Sequence, residues 1–172
     1  YQVISVIHFA AYKSAGESMS QPEMYWRNNV QGTVNLVEGM LAANVQHIVF
    51  SSSAAVYGNP QSSPISEASA ISPANVYAET KAMMERVIRW YGETHGLRWT
   101  SLRYFNAAGA SSDGALGENW DITTNLIPLV MKAALNVSGP LQVLGNDYAT
   151  KDGTGIRDYV HVEDLYAALK LT

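Results

Sequence analysis

Apolar side chains fall along the chain in two alternating textures: short, nearly continuous runs, and longer stretches at helical spacing. Residues 3–9, from Val3 to Phe9, are β-branched and almost uninterrupted, the pattern of a strand covered on both faces and expected at the centre of a sheet. From Asn29, the positions Val30, Val34, Val37 and Leu41 recur at helical spacing, with Asn28 or Asn29 placed to cap the helix and Asn44 to stop it. Residues 46–50 form a second β-rich run that ends at Ser51-Ser52-Ser53, where hydroxyls replace apolar side chains. A loop over 58–75, marked by Gly58, Pro60, Pro64 and Pro73, leads to a second long helix over 76–94 with Gly96 after its end. A third run over 99–105 ends at Asn106-Ala107-Ala108-Gly109.

Strands joined by helices this long imply parallel right-handed crossovers, so the three polar strand ends are expected on one edge of one sheet. The remainder changes texture. It reads as a helix over 124–136 kinked or interrupted at Pro128, a short strand over 141–144, a loop rich in Gly and Asp, a run at Asp158-Tyr159-Val160 and a helix from Glu163. The division expected is 1–121 for the sheet domain and 122–172 for a smaller lobe, with the chain returning to the sheet near 156–164.

Composition narrows the classes. With 47% hydrophobic and 15% charged residues in 172, the chain has enough apolar surface to fold. The net charge of -4 and the lack of any Lys/Arg run exclude a nucleic-acid-tracking or membrane-surface protein as a first reading. No cysteine is present, so disulfides, thiolate catalysis and cysteine-ligated zinc are ruled out, and the cytoplasm is the default compartment. His8, His47, His95 and His161 lack metal-ligand spacing, and His161 with Glu163 and Asp164 reads as a helix start; no metal is expected. Trp26, Tyr25, Trp90 and Tyr91 read as packing aromatics.

The informative local arrangement is Tyr77-Ala78-Glu79-Thr80-Lys81, because a four-residue step along a helix puts phenol and ammonium on one face. A positive charge beside a phenol favours the phenolate, so the pair is expected to lower the Tyr77 pKa and make it a better base. The same spacing also suits an ordinary solvated pair. What favours chemistry is the hydroxyl cluster Ser51-Ser52-Ser53 at a strand end, ahead of a loop leading into this helix.

This Ser, Tyr, Lys combination, with a first strand ending in Phe9-Ala10-Ala11, resembles the extended branch of the short-chain dehydrogenase/reductase superfamily that acts on nucleotide sugars. The blocks His8-Phe9-Ala10-Ala11-Tyr12-Lys13, Gly16-Glu17-Ser18, Asn28-Asn29-Val30-Gln31-Gly32-Thr33, Ser51 to Gly58, Arg103-Tyr104-Phe105-Asn106, Gly145-Asn146-Asp147-Tyr148 and Asp152 to Val162 resemble the UDP-glucose 4-epimerase family within it. The resemblance implies an α/β fold, a Rossmann-like doubly wound parallel sheet, here lacking its N-terminal half, with part of a smaller C-terminal substrate-binding lobe. It implies Ser53, Tyr77 and Lys81 as catalytic residues. It implies that Phe9, Ala10, Ala11, Lys13, Asn28, Ser51, Tyr77, Lys81 and Phe105 line NAD, and that Ser53, Asn106, Asn125, Leu126, Gln142, Val143, Leu144 and Arg157 hold the UDP-sugar. The substrates it implies are UDP-glucose and UDP-galactose, and the intact protein is expected to be a homodimer. Arg157 carries planar donors suited to diphosphate oxygens; the plainer reading is an ion pair with Asp158.

The chain departs from the family pattern at Ala11, where glycine is common, and at Asn75-Val76, where proline often precedes the tyrosine. Ala54 and Ala55 stand where the related 4,6-dehydratases place an acidic pair, which disfavours dehydration, and no Gly-x-Ser-x-Gly elbow occurs. No Gly-x-Gly-x-x-Gly or Gly-x-x-Gly-x-x-Gly occurs either, although the NAD pyrophosphate needs that turn. Two other readings therefore stay open: a C4-epimerase of UDP-N-acetylhexosamines or UDP-pentoses, and an inactive fragment that at most binds a nucleotide sugar.

Overall fold

Three of the apolar runs become three parallel strands, β1 (Val6–His8), β2 (His47–Ser51) and β3 (Arg98–Leu102). They lie in the order β1-β2-β3, with Phe50 level with His8 on one side and with Ser101 on the other. Parallel pairing places all three carboxyl ends on one edge, as the crossover argument requires. Here and below the chain is described by a computed structural model, which covers residues 2–60 and 62–172.

β2, rather than β1, is the central strand among the described residues, and β1 is shorter than the run over 3–9. Its alternation explains why. Val6 and His8 turn toward the helices, whereas Ile7 is half exposed because no described element covers that face, and Val3 and Ile4 lie exposed outside the strand.

Between β1 and β2 come α1 (Ala15–Ser20), α2 (Pro22–Tyr25), a π-helical turn (Trp26–Gln31) and α3 (Gly32–Ala42). The helical path thus starts earlier than the spacing from Asn29 suggests. Pro22 opens α2 at its first position, where a missing N–H is harmless, and Asn29 sits buried inside the π turn instead of capping. Asn44, at φ 56°, turns the chain away, as expected of a stop.

α4 (Val76–His95) is the longest element. The Asn75 side chain accepts from the Ala78 N–H at 2.9 Å, and Gly96 ends the helix in the left-handed conformation at φ 72°. One core joins these pieces: Val37 and Met40 of α3, Met84 and Ile88 of α4, and Ile48 and Phe50 of β2 are all buried, with Val45 and Leu97 closing the ends. Alternate β2 residues face the two helices because side chains alternate along a strand, so α3 and α4 cover one face of the sheet.

Gly58 ends the 3-10 turn (Ala54–Tyr57) at φ 61°, and a Cβ there would lie 2.0 Å from the Ser72 carbonyl oxygen. Ser72 cannot easily yield, since its N–H donates to the Val56 carbonyl at 3.0 Å. Gly58→Ala is expected to lower stability by about 3 kcal/mol. Urea unfolding measures this, and an unchanged midpoint would contradict the strained turn.

The chain divides into two compact units, the first ending at Tyr104 and also including Thr172, the second Phe105–Leu171. In the second, β4 (Asn106–Ala108) pairs in parallel with β5 (Tyr159–His161), and α5 (Leu126–Ala134) and α6 (Val162–Leu169) are its helices. Three sequence expectations change here. The Asn106 end of the third apolar run is itself a short strand. Pro128 occupies the third position of α5, where the N–H has no intrahelical acceptor, so it does not interrupt the helix. Residues 141–144 form no strand: Val143 and Leu144 are exposed, and no described strand offers them a ladder. His161 caps α6, its Nδ1 accepting from the Glu163 N–H at 3.3 Å, as the helix-start reading expects. Among the described residues no helix is long and apolar enough to cross a membrane.

Candidate active site

The carboxyl edge of the first unit gathers the Ser, Tyr and Lys. β2 runs out at Ser51, and Ser53 follows in extended conformation, its Oγ accepting from the Ala55 N–H at 3.2 Å. Tyr77 stands in the first turn of α4 and Lys81 one turn further on the same face. Two interactions from outside α4 set its position. The backbone N–H of Tyr77 donates to Ser18 Oγ at 3.0 Å, so the fully buried Ser18 of α1 fixes the start of the helix. Asn29 donates to Thr80 Oγ1 at 3.1 Å while its amide also bonds both the N–H and the carbonyl of Tyr12, tying the segment after β1 to the middle of α4.

The electrostatics run opposite to one sequence expectation. Burial pushes the Tyr77 phenol up, not down; the Ser53 hydroxyl interacts with it in the lowering direction, and nearby Tyr104 adds to the rise. Lys81 does not offset this because its ammonium points elsewhere, donating to the Ser51 carbonyl at 2.7 Å and lying 4.9 Å from the Phe50 ring centre. Burial lowers Lys81 itself to about 8, partly opposed by the carboxylate of Glu85. His8 is also lowered, by burial and then by Lys81, and its Nε2 lies 3.2 Å from Thr33 Oγ1. At neutral pH the site therefore holds a phenol and a marginally retained ammonium.

The residues assigned to NAD by resemblance divide between the units. Phe9, Ala10 and Ala11 directly follow β1; Phe9 and Ala10 are exposed, Ala11 is half-buried, and Lys13 is exposed. Ser51 is buried at the end of β2, and its hydroxyl is hydrogen-bonded to Tyr104. Asn28 donates to Asn29 Oδ1 at 2.9 Å, and Phe105 opens the second unit. An exposed flat ring, two methyl-sized side chains at a strand end and an inward-directed ammonium fit a nicotinamide-ribose group, which needs a close approach to backbone and a cation near its hydroxyls.

The second unit holds most of the residues assigned to the UDP-sugar. Asn106 donates to the Asp158 carbonyl at 2.7 Å, and Asn125, which precedes α5, donates to Glu118 Oε1 at 2.7 Å. Leu126, Gln142, Val143 and Leu144 are exposed. Arg157 is exposed too, with Nη1 donating to the adjacent Ile156 carbonyl at 2.8 Å, and among the described residues it forms no ion pair with Asp158.

Sequence reasoning missed Ser18, Thr80, Glu85 and the part played by Arg103. Glu85 carried a signal, since it lies four residues beyond Lys81 and thus on the same face of α4. Thr80 lies within the Tyr77 to Lys81 segment but gains its part through Asn29, and Ser18 and Arg103 are joined to the site by tertiary contacts.

A parallel βαβαβ unit with a Ser, a Tyr and a Lys at its carboxyl edge defines the Rossmann-like class of nicotinamide-dependent folds. Residues 1–172 match the NAD dependent epimerase/dehydratase family, and the chain belongs to that family. It is 49% identical over 167 residues to the UDP-glucose 4-epimerase of Lactobacillus helveticus, covering 97% of this chain and 51% of that protein. The crystal structure of UDP-glucose 4-epimerase from Brucella ovis in complex with NAD matches with a TM-score of 0.92 and 48% identity, over 98% of this chain and 52% of that one. That from Bifidobacterium longum in complex with NAD+ and UDP matches with a TM-score of 0.91 and 40% identity, over 99% and 52%. The chain thus spans about half the length of these relatives. The family resemblance, the α/β fold and the NAD dependence expected from sequence are borne out.

Proposed function

We propose that the intact protein interconverts UDP-glucose and UDP-galactose by transient oxidation at C4 of the sugar. The observation that carries the reading is the placing of Tyr77 and Lys81 on one face of α4, with Lys81 bonded to the Ser51 carbonyl two residues before Ser53. Tyr77 takes the proton of the sugar 4-hydroxyl and later returns it to the same oxygen, after C4 has been reduced on its opposite face. Ser53 hydrogen-bonds the same oxygen and holds it in line with the phenol. NAD, when bound, supplies the hydride acceptor and donor for C4 and, in its oxidised form, a positive ring that favours phenolate. Lys81, held on the Ser51 carbonyl, keeps a cation at the same edge, and positive charge beyond it is needed because burial holds the phenol protonated.

Asn106, Asn125, Leu126, Gln142 to Leu144 and Arg157 are the proposed contacts of the UDP moiety. The guanidinium of Arg157, free of any ion pair among the described residues, suits the diphosphate. Holding the nucleotide while the 4-keto sugar turns lets hydride return to the opposite face.

The test is to incubate the intact protein with UDP-galactose and follow the anomeric proton signals by NMR. Conversion to a UDP-glucose/UDP-galactose mixture without net consumption of NAD is expected. No interconversion with saturating NAD would sink the reading, and faster turnover of UDP-N-acetylgalactosamine in the same assay would reassign the substrate.

A further inference from the structure

Ser53 sits between two residues that are gripped by a single ion pair. Before it, Ser52 donates its hydroxyl to Glu85 Oε1. After it, Tyr57 of the 3-10 turn accepts from Arg103 Nη1 at 2.8 Å, with the guanidinium carbon 5.2 Å from the Tyr57 ring centre. Arg103 closes the bridge with Nη2 on Glu85 Oε2 at 2.6 Å and Nε on Oε1 at 2.9 Å. Glu85 belongs to α4, one turn beyond Lys81, and Lys81 in turn holds the Ser51 carbonyl. The helix that carries Tyr77 thus grips the Ser51–Ser53 turn through two side chains, and Arg103, just past the end of β3, braces it through a third.

A pair this enclosed is a poor way to gain stability. The side chains of Glu85 and Arg103 are 12% and 25% exposed, and apolar residues of similar volume avoid the desolvation that such charges suffer. What the pair supplies instead is direction: a planar fork meeting a carboxylate admits one geometry.

We propose that Glu85, braced by Arg103, is a positioning residue that fixes the Ser51–Ser53 turn against α4, so that Ser53 meets Tyr77, and that places its carboxylate charge one turn from Lys81. This rests on the epimerase reading above. The charge matters because Lys81 is only marginally retained as an ammonium, and Glu85 is what opposes the effect of its burial. Of the other titratable groups, His8 on β1 interacts with Lys81 and Arg103 lies behind Glu85, and neither supplies a second carboxylate.

Two variants of the intact protein test this. Glu85→Ala is expected to reduce kcat about tenfold or more per folded molecule, with KM for the UDP-sugar within about twofold, because the turn is released while the nucleotide contacts remain. Glu85→Gln keeps the size and one accepting oxygen for Ser52, but removes the charge and sets an amide N–H where the carboxylate accepts from Arg103 Nη2. It should recover part of that loss at pH 7 and move the alkaline limb of the kcat profile to lower pH. Titration of 13C-labelled lysine by NMR reads the same shift at Lys81 without any turnover. A folded Glu85→Ala with kcat within twofold of the parent, or a Lys81 titration unmoved in Glu85→Gln, overturns the proposal. Failure of the parent to turn over UDP-galactose overturns the epimerase reading instead, and the Lys81 titration still decides the charge coupling.

Discussion

Tyr77→Phe in the intact protein is expected to lower turnover of UDP-galactose by about a thousandfold while leaving UDP binding within about twofold. The substitution removes one oxygen and keeps the ring, so α4 retains its cap at Asn75 and its anchor on Ser18, and neither depends on the phenol. What is lost is the group that moves the proton of the 4-hydroxyl. Ser53 cannot replace it, because an unactivated hydroxyl is a far weaker base at neutral pH than a tyrosine aided by nearby positive charge. NMR turnover assays and calorimetric titration with UDP measure the two halves of the prediction. Near-normal turnover would remove Tyr77 from the chemistry, and a large loss of UDP affinity would make the variant uninformative about proton transfer by showing a disturbed fold.

The parts of the site that the sequence reveals are those held by local rules. The Tyr77 to Lys81 step and the Gly96 stop are set within one helix, so spacing alone reads them correctly. The parallel direction of β1, β2 and β3 follows from long crossover helices and needs no contact information. The parts that stay hidden are those in which distant segments compete. Residues 3–9 look like a central strand because β-branched runs usually are, but how much of the run pairs depends on its neighbours, and among the described residues only Val6–His8 pair, with β2. The run over 141–144 has strand composition without a ladder partner among the described residues. Asn29 reads as a cap, yet the π turn carries it inward to bond Thr80, 51 residues away in sequence.

The sign of the Tyr77 shift is hidden for the same reason. Spacing says that a cation is near; only the fold says how deeply the phenol is buried and that Lys81 is committed to the Ser51 carbonyl. Desolvation then outweighs the neighbour, and the base becomes competent only with further positive charge at the site. Resemblance supplied the roles of Ser53, Tyr77 and Lys81, whereas Glu85 and Arg103 emerge only once β3 and α4 are packed together.

Lys81→Met is expected to cost about a hundredfold in turnover, yet to leave the folded state nearly as stable as the parent at pH 7. The reasoning turns on what a buried ammonium does to stability. Lys81 is 3% exposed, and its folded pKa of about 8 lies below the value of about 10.4 that it regains on unfolding. Below pH 8 both states carry the proton and the unfavourable burial of the charge is fully present. Between about pH 8 and pH 10.4 the folded chain has released a proton that the unfolded chain still holds, so this site makes the protein more stable as pH rises, by about 3 kcal/mol across the window. A methionine fills nearly the same volume, lacks the charge and has no such slope. It also leaves the Ser51 carbonyl without its donor, at about 1–3 kcal/mol, which offsets most of the relief at pH 7. At pH 10 there is little relief left to offset, and the variant should be clearly the less stable of the two. Urea unfolding of both proteins at pH 7 and pH 10 isolates the effect, since tyrosines that titrate in the same range contribute similarly to each curve and largely cancel in the difference. Parallel curves would mean that Lys81 is not shifted by burial. A difference that opens with pH would mean that the fold carries this lysine against its own stability, which is the expected mark of a charge kept for chemistry.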